Sequence, residues 1–160
     1  MSRQPETFRN RIAKVALVLI FLPVILPLIA VALVLFALHR FVLYVLVWVL
    51  WVPKGKDTLF VYSNSPIWHD YMTQQVLPLV HDRAIVLNWS ERSTWRRPRW
   101  RLTHQVFYSF AGHREFNPMV IIFRPLRRAK LFRFWSAFKD WKHGHAESVE
   151  RLRNELRMSL

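Results

Sequence analysis

The chain has 160 residues, with 24 Lys and Arg against 10 Asp and Glu, a formal charge of +14 and no cysteine. Without cysteine there is no disulfide, no thiolate metal site and no thiol chemistry. A positive field of this size favours anionic partners: lipid headgroups, nucleic acid or phosphorylated small molecules.

A basic tail, residues 1–11, leads into an apolar region, residues 12–53, whose polar interruptions are Lys14, His39 and Arg40. A secretory signal would show about 7 to 15 apolar residues and a small-residue cleavage site, which does not fit. One helical span needs about 20 apolar residues, and the region holds roughly twice that. Two arrangements follow. One is a hairpin bent near Pro23 and Pro27 or at His39-Arg40. The other is a single span from about Val15 to Leu38 followed by an interfacial helix, with Tyr44, Trp48 and Trp51 at headgroup level. Cations flank both ends, so charge asymmetry alone does not set the orientation. A hairpin leaves both flanks in the cytoplasm, and a basic domain is drawn to the anionic cytoplasmic leaflet. The expectation is an integral protein of a bacterial inner membrane with its soluble domain, residues 54–160, on the cytoplasmic side.

That domain is small and single. After the turn chemistry of "PKGKD", Leu59–Ser63 reads as a first strand. Ser65-Pro66 then reads as a helix start, with Ser as N-cap and Pro at the first helical position. Met72, Val76, Leu79 and Val80 form the helix's apolar stripe, and Pro78 kinks or ends it. Arg83–Trp89 is a second strand, and "SERSTWRRPRWR" is a loop. A second helix follows, with Leu102, Val106, Phe107 and Phe110 on one face and Gly112 at its end. "MVIIF", Met119–Phe123, has the unbroken apolar character of a buried central strand, and Lys130–Trp135 pairs with it as a hairpin. The last helix, "AESVERLRNELRMSL", carries Val149, Leu152, Leu156 and Leu160 on one face.

The order β-α-β-α-β-β-α, with Pro118 just before the third strand in "REFNPMVIIF", resembles the thioredoxin fold. In that family a cis-proline precedes the third core strand and faces the start of the first helix. The resemblance covers about Asp57 to Leu160 and implies an α/β, membrane-anchored, thioredoxin-like domain. It sets Ser65-Pro66-Ile67-Trp68 where the family has Cys-x-x-Cys and Pro118 where it has the cis-proline. With Ser65 and Trp68 in place of two thiols, dithiol oxidoreductase activity is excluded, and the resemblance implies a non-redox binding role. The implied ligand-binding residues are Asn64, Ser65, Trp68, Asn117 and Pro118. The stretch is also similar to the start of glutathione transferases, in which a Ser or Tyr after the first strand contacts the glutathione thiol, although a helical second domain is missing here.

Read from the residues alone, a helix start at Ser65 offers free N–H groups that suit a carboxylate or phosphate. The plainer reading is a simple N-cap. His69 and Asp70, one turn in, are the remaining candidates for acid and base, together with Ser65, but adjacent helical residues point in different directions. His143-Gly144-His145 reads as a surface turn rather than a metal fragment, and no cofactor or metal is expected. Asn88, Ser90 and Glu91 follow the second strand, on the side where open α/β sheets hold ligands.

The segment around Trp95 interleaves Arg92, Arg96, Arg97, Arg99 and Arg101 with Trp95 and Trp100. Arg with Trp suits an anionic headgroup layer, with nucleic acid the less favoured partner. Arg124, Arg127, Arg128, Lys130 and Arg133 extend the basic surface. Two functions stay open. One is a membrane-anchored adapter that binds a protein partner or an anionic lipid surface. The other is a membrane-surface enzyme for a phosphorylated or nucleotide-linked substrate, for which no nucleotide-binding glycine motif is present.

Overall fold

The computed structural model describes residues 8–96, 101–112, 117–125 and 127–160. It is a mixed α/β chain of two compact units, Met1–Phe41 and Val42–Leu160. The helix α1 runs unbroken from Phe8 to Leu50 with Pro23 and Pro27 inside it, so no hairpin forms at the prolines or at His39-Arg40. From Phe21 to Leu38 its side chains are apolar and exposed, and it is long and apolar enough to cross a membrane by length and composition.

The second unit is built on a four-stranded sheet of order β2-β1-β3-β4. Strand β1 (Thr58–Tyr62) pairs parallel with β2 (Ala84–Asn88) and antiparallel with β3 (Met119–Ile122), which pairs antiparallel with β4 (Lys130–Arg133). The two inner strands are buried on both faces, which is why "LFVY" and "MVII" are continuously apolar. Side chains alternate between the faces with period two. Phe60, Val120, Ile122 and Phe132 point into one core, while Leu59, Val61, Met119 and Ile121 point into the other.

Over the first core lie the helical segment from α2 (His69–Tyr71) to α3 (Leu77–Val80) and the pair α5 (Phe134–Lys142) and α6 (Glu147–Met158). Met72, Val76 and Val80 are buried as their spacing predicts. Between α2 and α3, Met72–Val76 widens into a π-helical turn, and the Leu77 N–H donates to the Met72 carbonyl. Pro78 has no N–H for the carbonyl four residues back, so the helix loosens just upstream of it instead of stopping. Tyr71 donates to Glu150 at 3.0 Å, and Glu150 pairs with Arg153 at 2.6 Å, which fastens α6 to α2.

The helix α5 departs from the sequence expectation: Phe134 and Trp135 begin a helix and do not extend β4. Phe134, Ala137 and Phe138 are buried at helical spacing. The observed order is therefore β-α-β-α-β-β-α-α, with two consecutive helices closing the domain.

The second core is covered by α4 (Leu102–Ala111) and by the last turns of α1. Leu43, Val47 and Trp51 recur at four-residue steps and are 4%, 0% and 5% exposed. The domain thus begins at Val42, inside the region that composition assigns wholly to a membrane segment. At the far edge Asp57 accepts from Arg83 Nε at 3.1 Å, and Arg83 Nη1 donates to the Leu160 carbonyl at 2.8 Å.

Candidate ligand face at the strand ends

Because β1 and β2 run parallel, Tyr62 and Asn88 lie side by side and both chains leave the sheet at the same end. Asn88 accepts from the Ser90 N–H at 3.0 Å and so caps the short 3₁₀ turn Trp89–Glu91. Its amide nitrogen donates to Asn64 Oδ1 and to Glu91 Oε1, each at 3.0 Å. The Asn64 N–H donates to Ser90 Oγ at 2.9 Å. Asn64, Asn88, Ser90 and Glu91 form one polar cluster at the end of the parallel strands, where such sheets bind ligands. Asn88, Ser90 and Glu91 are indicated by their position after β2 and Asn64 by the resemblance; nothing in the sequence indicates that they bond to one another.

Ser65 differs from its expected role as a side-chain cap. Its carbonyl accepts from Trp68 N–H at 3.3 Å and His69 N–H at 3.0 Å, which makes Ser65–Trp68 a turn, and α2 begins only at His69. The helical segment runs on through the π-helical turn to Val80, so its positive end lies at His69 and not at Ser65. Trp68, expected as a ligand contact, is 8% exposed and stacks on Phe138 at 4.3 Å between centroids and 19° between planes. It is a core residue, and Ile67 beside it is the exposed apolar group of the turn.

His69 and Asp70 do meet, contrary to the expectation that neighbours on a helix point apart: Nδ1 lies 3.2 Å from Oδ1. The His69 ring also lies 5.6 Å from that of Tyr62. The Asn117–Pro118 peptide is cis. Pro118 is buried and its carbonyl accepts from the Phe134 N–H at 2.9 Å, tying the start of β3 to the start of α5. Asn117 Oδ1 is buried with no hydrogen-bond partner among the described residues.

Comparison with protein-family models, curated proteins and solved structures gives no match.

The basic and aromatic surface divides in two. Arg97, Arg99 and Trp100 lie outside the described residues, as does the side chain of Arg96. Trp95 faces inward, stacked on His104 at 4.8 Å and 15° and set edge-on to Trp89 and Phe107. Its ring is thus committed to the second core. Arg92 stays exposed with its guanidinium 5.2 Å above Trp89, and Arg101, also exposed, opens α4 with its carbonyl. Of the second cluster, Arg124 donates to the Ser159 carbonyl, Arg133 to the Ala111 carbonyl at 3.0 Å, and Lys130 to Ser159 Oγ at 2.7 Å. Arg127 and Arg128 are exposed. The turn at His143-Gly144-His145 closes α5, with His143 and His145 N–H both donating to the Asp140 carbonyl at 3.0 Å. Among the described residues no three His, Asp or Glu gather as a metal site.

Proposed function

We propose that the chain is a membrane-anchored, non-redox binding module of thioredoxin-like fold, held on the cytoplasmic side of a bacterial inner membrane by α1. The module engages a protein partner through the Asn64 to Ile67 turn and the neighbouring strand ends, while its exposed arginines favour anionic lipid. The observation that carries the reading is the fate of the Ser65-Pro66-Ile67-Trp68 stretch. Where the family's chemistry needs two thiols, Ser65 supplies a backbone turn and Trp68 a core ring, leaving Ile67 exposed. An exposed apolar side chain beside a polar cluster suits recognition more than proton transfer. The strand order β2-β1-β3-β4, with β3 antiparallel to both of its neighbours, supports the fold assignment.

The test is a photo-crosslinking residue at Ile67 of the full chain in its native membrane. A discrete protein adduct at Ile67, absent with the crosslinker at Asn154 on α6 and retained in Ser65→Ala, is the expected result. Equal labelling at both positions would contradict the reading.

The His69–Asp70 contact favours a second reading, an enzyme of the membrane surface acting on a phosphorylated or nucleotide-linked substrate. Calorimetry of the folded domain with nucleotides and sugar phosphates separates the two. Heat of binding that His69→Ala abolishes supports the enzyme, and silence across the panel removes it.

A further inference from the structure

The last turns of α1, with Trp51 directly after them, carry two apolar faces. One, Leu43, Val47 and Trp51, is spent on the sheet. On the rest of the helix circumference Val42, Val45, Leu46, Val49 and Leu50 repeat at three- and four-residue steps and stay exposed, Val49 at 61% and Leu50 at 47%. A contiguous apolar stripe of this kind on a folded domain marks an interaction surface. We infer that the stripe is seated in an anionic lipid bilayer, so that the domain rests on the membrane through the outer face of the same helix whose inner face completes its core.

Two observations choose lipid over a second copy of the chain. The stripe continues, within one unbroken helix, the apolar exposed run that starts at Phe21. Forty-three helical residues extend about 65 Å at ~1.5 Å per residue, against a hydrocarbon core of about 30 Å. A perpendicular crossing would hold the exposed apolar residues at the end of this unbroken helix out in water, whereas a tilted crossing keeps them at the interface. The second observation is charge. Lys54 is exposed at the end of the stripe. On its flank the Tyr44 hydroxyl donates to the Arg124 carbonyl at 2.8 Å and also to that of Arg127. That holds the loop bearing the exposed Arg127 and Arg128 alongside α1. Such cations complement anionic headgroups and repel an identical chain of charge +14.

The inference rests on the proposed membrane anchor, and the test keeps the two apart. Since the chain has no cysteine, single cysteines at Val31, Val49 and Val86 of the full-length protein each take an environment-sensitive fluorophore. The protein is reconstituted in vesicles of phosphatidylcholine and phosphatidylglycerol carrying nitroxide-labelled lipids. Quenching is expected at Val31 and, by the shallow nitroxide, at Val49, with none at Val86 on the edge strand. The combined Lys54→Glu, Arg127→Glu, Arg128→Glu variant should lose quenching at Val49 and keep it at Val31. Quenching at Val31 without Val49 overturns the inference and leaves the anchor standing. An oxidant-induced disulfide between copies of the unlabelled Val49→Cys protein, with no lipid quenching of the labelled one, overturns it in favour of self-association. Absence of quenching at Val31 removes the anchor and the inference together.

Discussion

Trp68 lies flat on Phe138, its ring 4.3 Å away and inclined by 19°, and this contact joins the turn after β1 to α5 across the first core. A tryptophan so placed contributes to stability rather than to ligand contact. Trp68→Ala should cost about 3–5 kcal/mol, as large-to-small changes in a packed aromatic core do. Ser65→Ala, whose native role is carried by a backbone carbonyl, should change stability by less than about 1 kcal/mol. Denaturant unfolding in detergent, followed by circular dichroism, measures both. Equal effects would mean that the Ser65 hydroxyl, not its carbonyl, holds the turn.

Tyr71 gives the domain an alkaline limit. Burial, then its hydrogen bond to the Glu150 carboxylate, pushes the phenol up from 10.0 to about 12. The folded state therefore keeps a proton that the unfolded chain releases, and the stability this contributes is present below pH 10 and lost as pH rises through about 12. Tyr71→Phe should flatten that loss, seen as a shallower fall in thermal midpoint over the same window. Parallel curves for the two proteins would show that Tyr71 titrates as an ordinary phenol.

The domain boundary is set by Val47, which is fully buried against the sheet. A chain starting at Val42 should fold, whereas one starting at Lys54 loses Leu43, Val47 and Trp51 and exposes the second core. Size-exclusion chromatography and hydrogen exchange of the two truncations check this. The shorter piece should aggregate or exchange rapidly through β1 and β3, and identical behaviour would place the boundary after Pro53.

These three cases also show what the sequence carries. The inner strands are legible because burial on both faces demands unbroken β-branched and aromatic runs, and α4 is legible from Val106, Phe107 and Phe110 followed by Gly112. The docking turn of α1 is not legible. Leu43, Val47 and Trp51 stand among residues that are all apolar, and periodicity has no contrast to work with there. Phe134 and Trp135 are illegible for another reason: aromatic residues have strand propensity, and tertiary packing of Phe134 and Phe138 overrides it in favour of α5. At the candidate site, strand-end position points to Asn88, Ser90 and Glu91 and the resemblance to Asn64, while the hydrogen bonds that join them are not legible. Nor are the inward turn of Trp95 and the burial of Trp68, since an aromatic next to charges reads the same whether it packs or projects.

The central claim is a binding module anchored on the cytoplasmic face of a membrane. Its most direct test is a pair of fusions to Leu160 of the full chain, one to a fluorescent protein that matures only in the cytoplasm and one to a phosphatase active only outside it. The account predicts fluorescence with no phosphatase activity, from membranes that retain the protein after alkaline washing. Phosphatase activity without fluorescence would put the domain on the opposite side, and release by the wash would contradict the anchor itself.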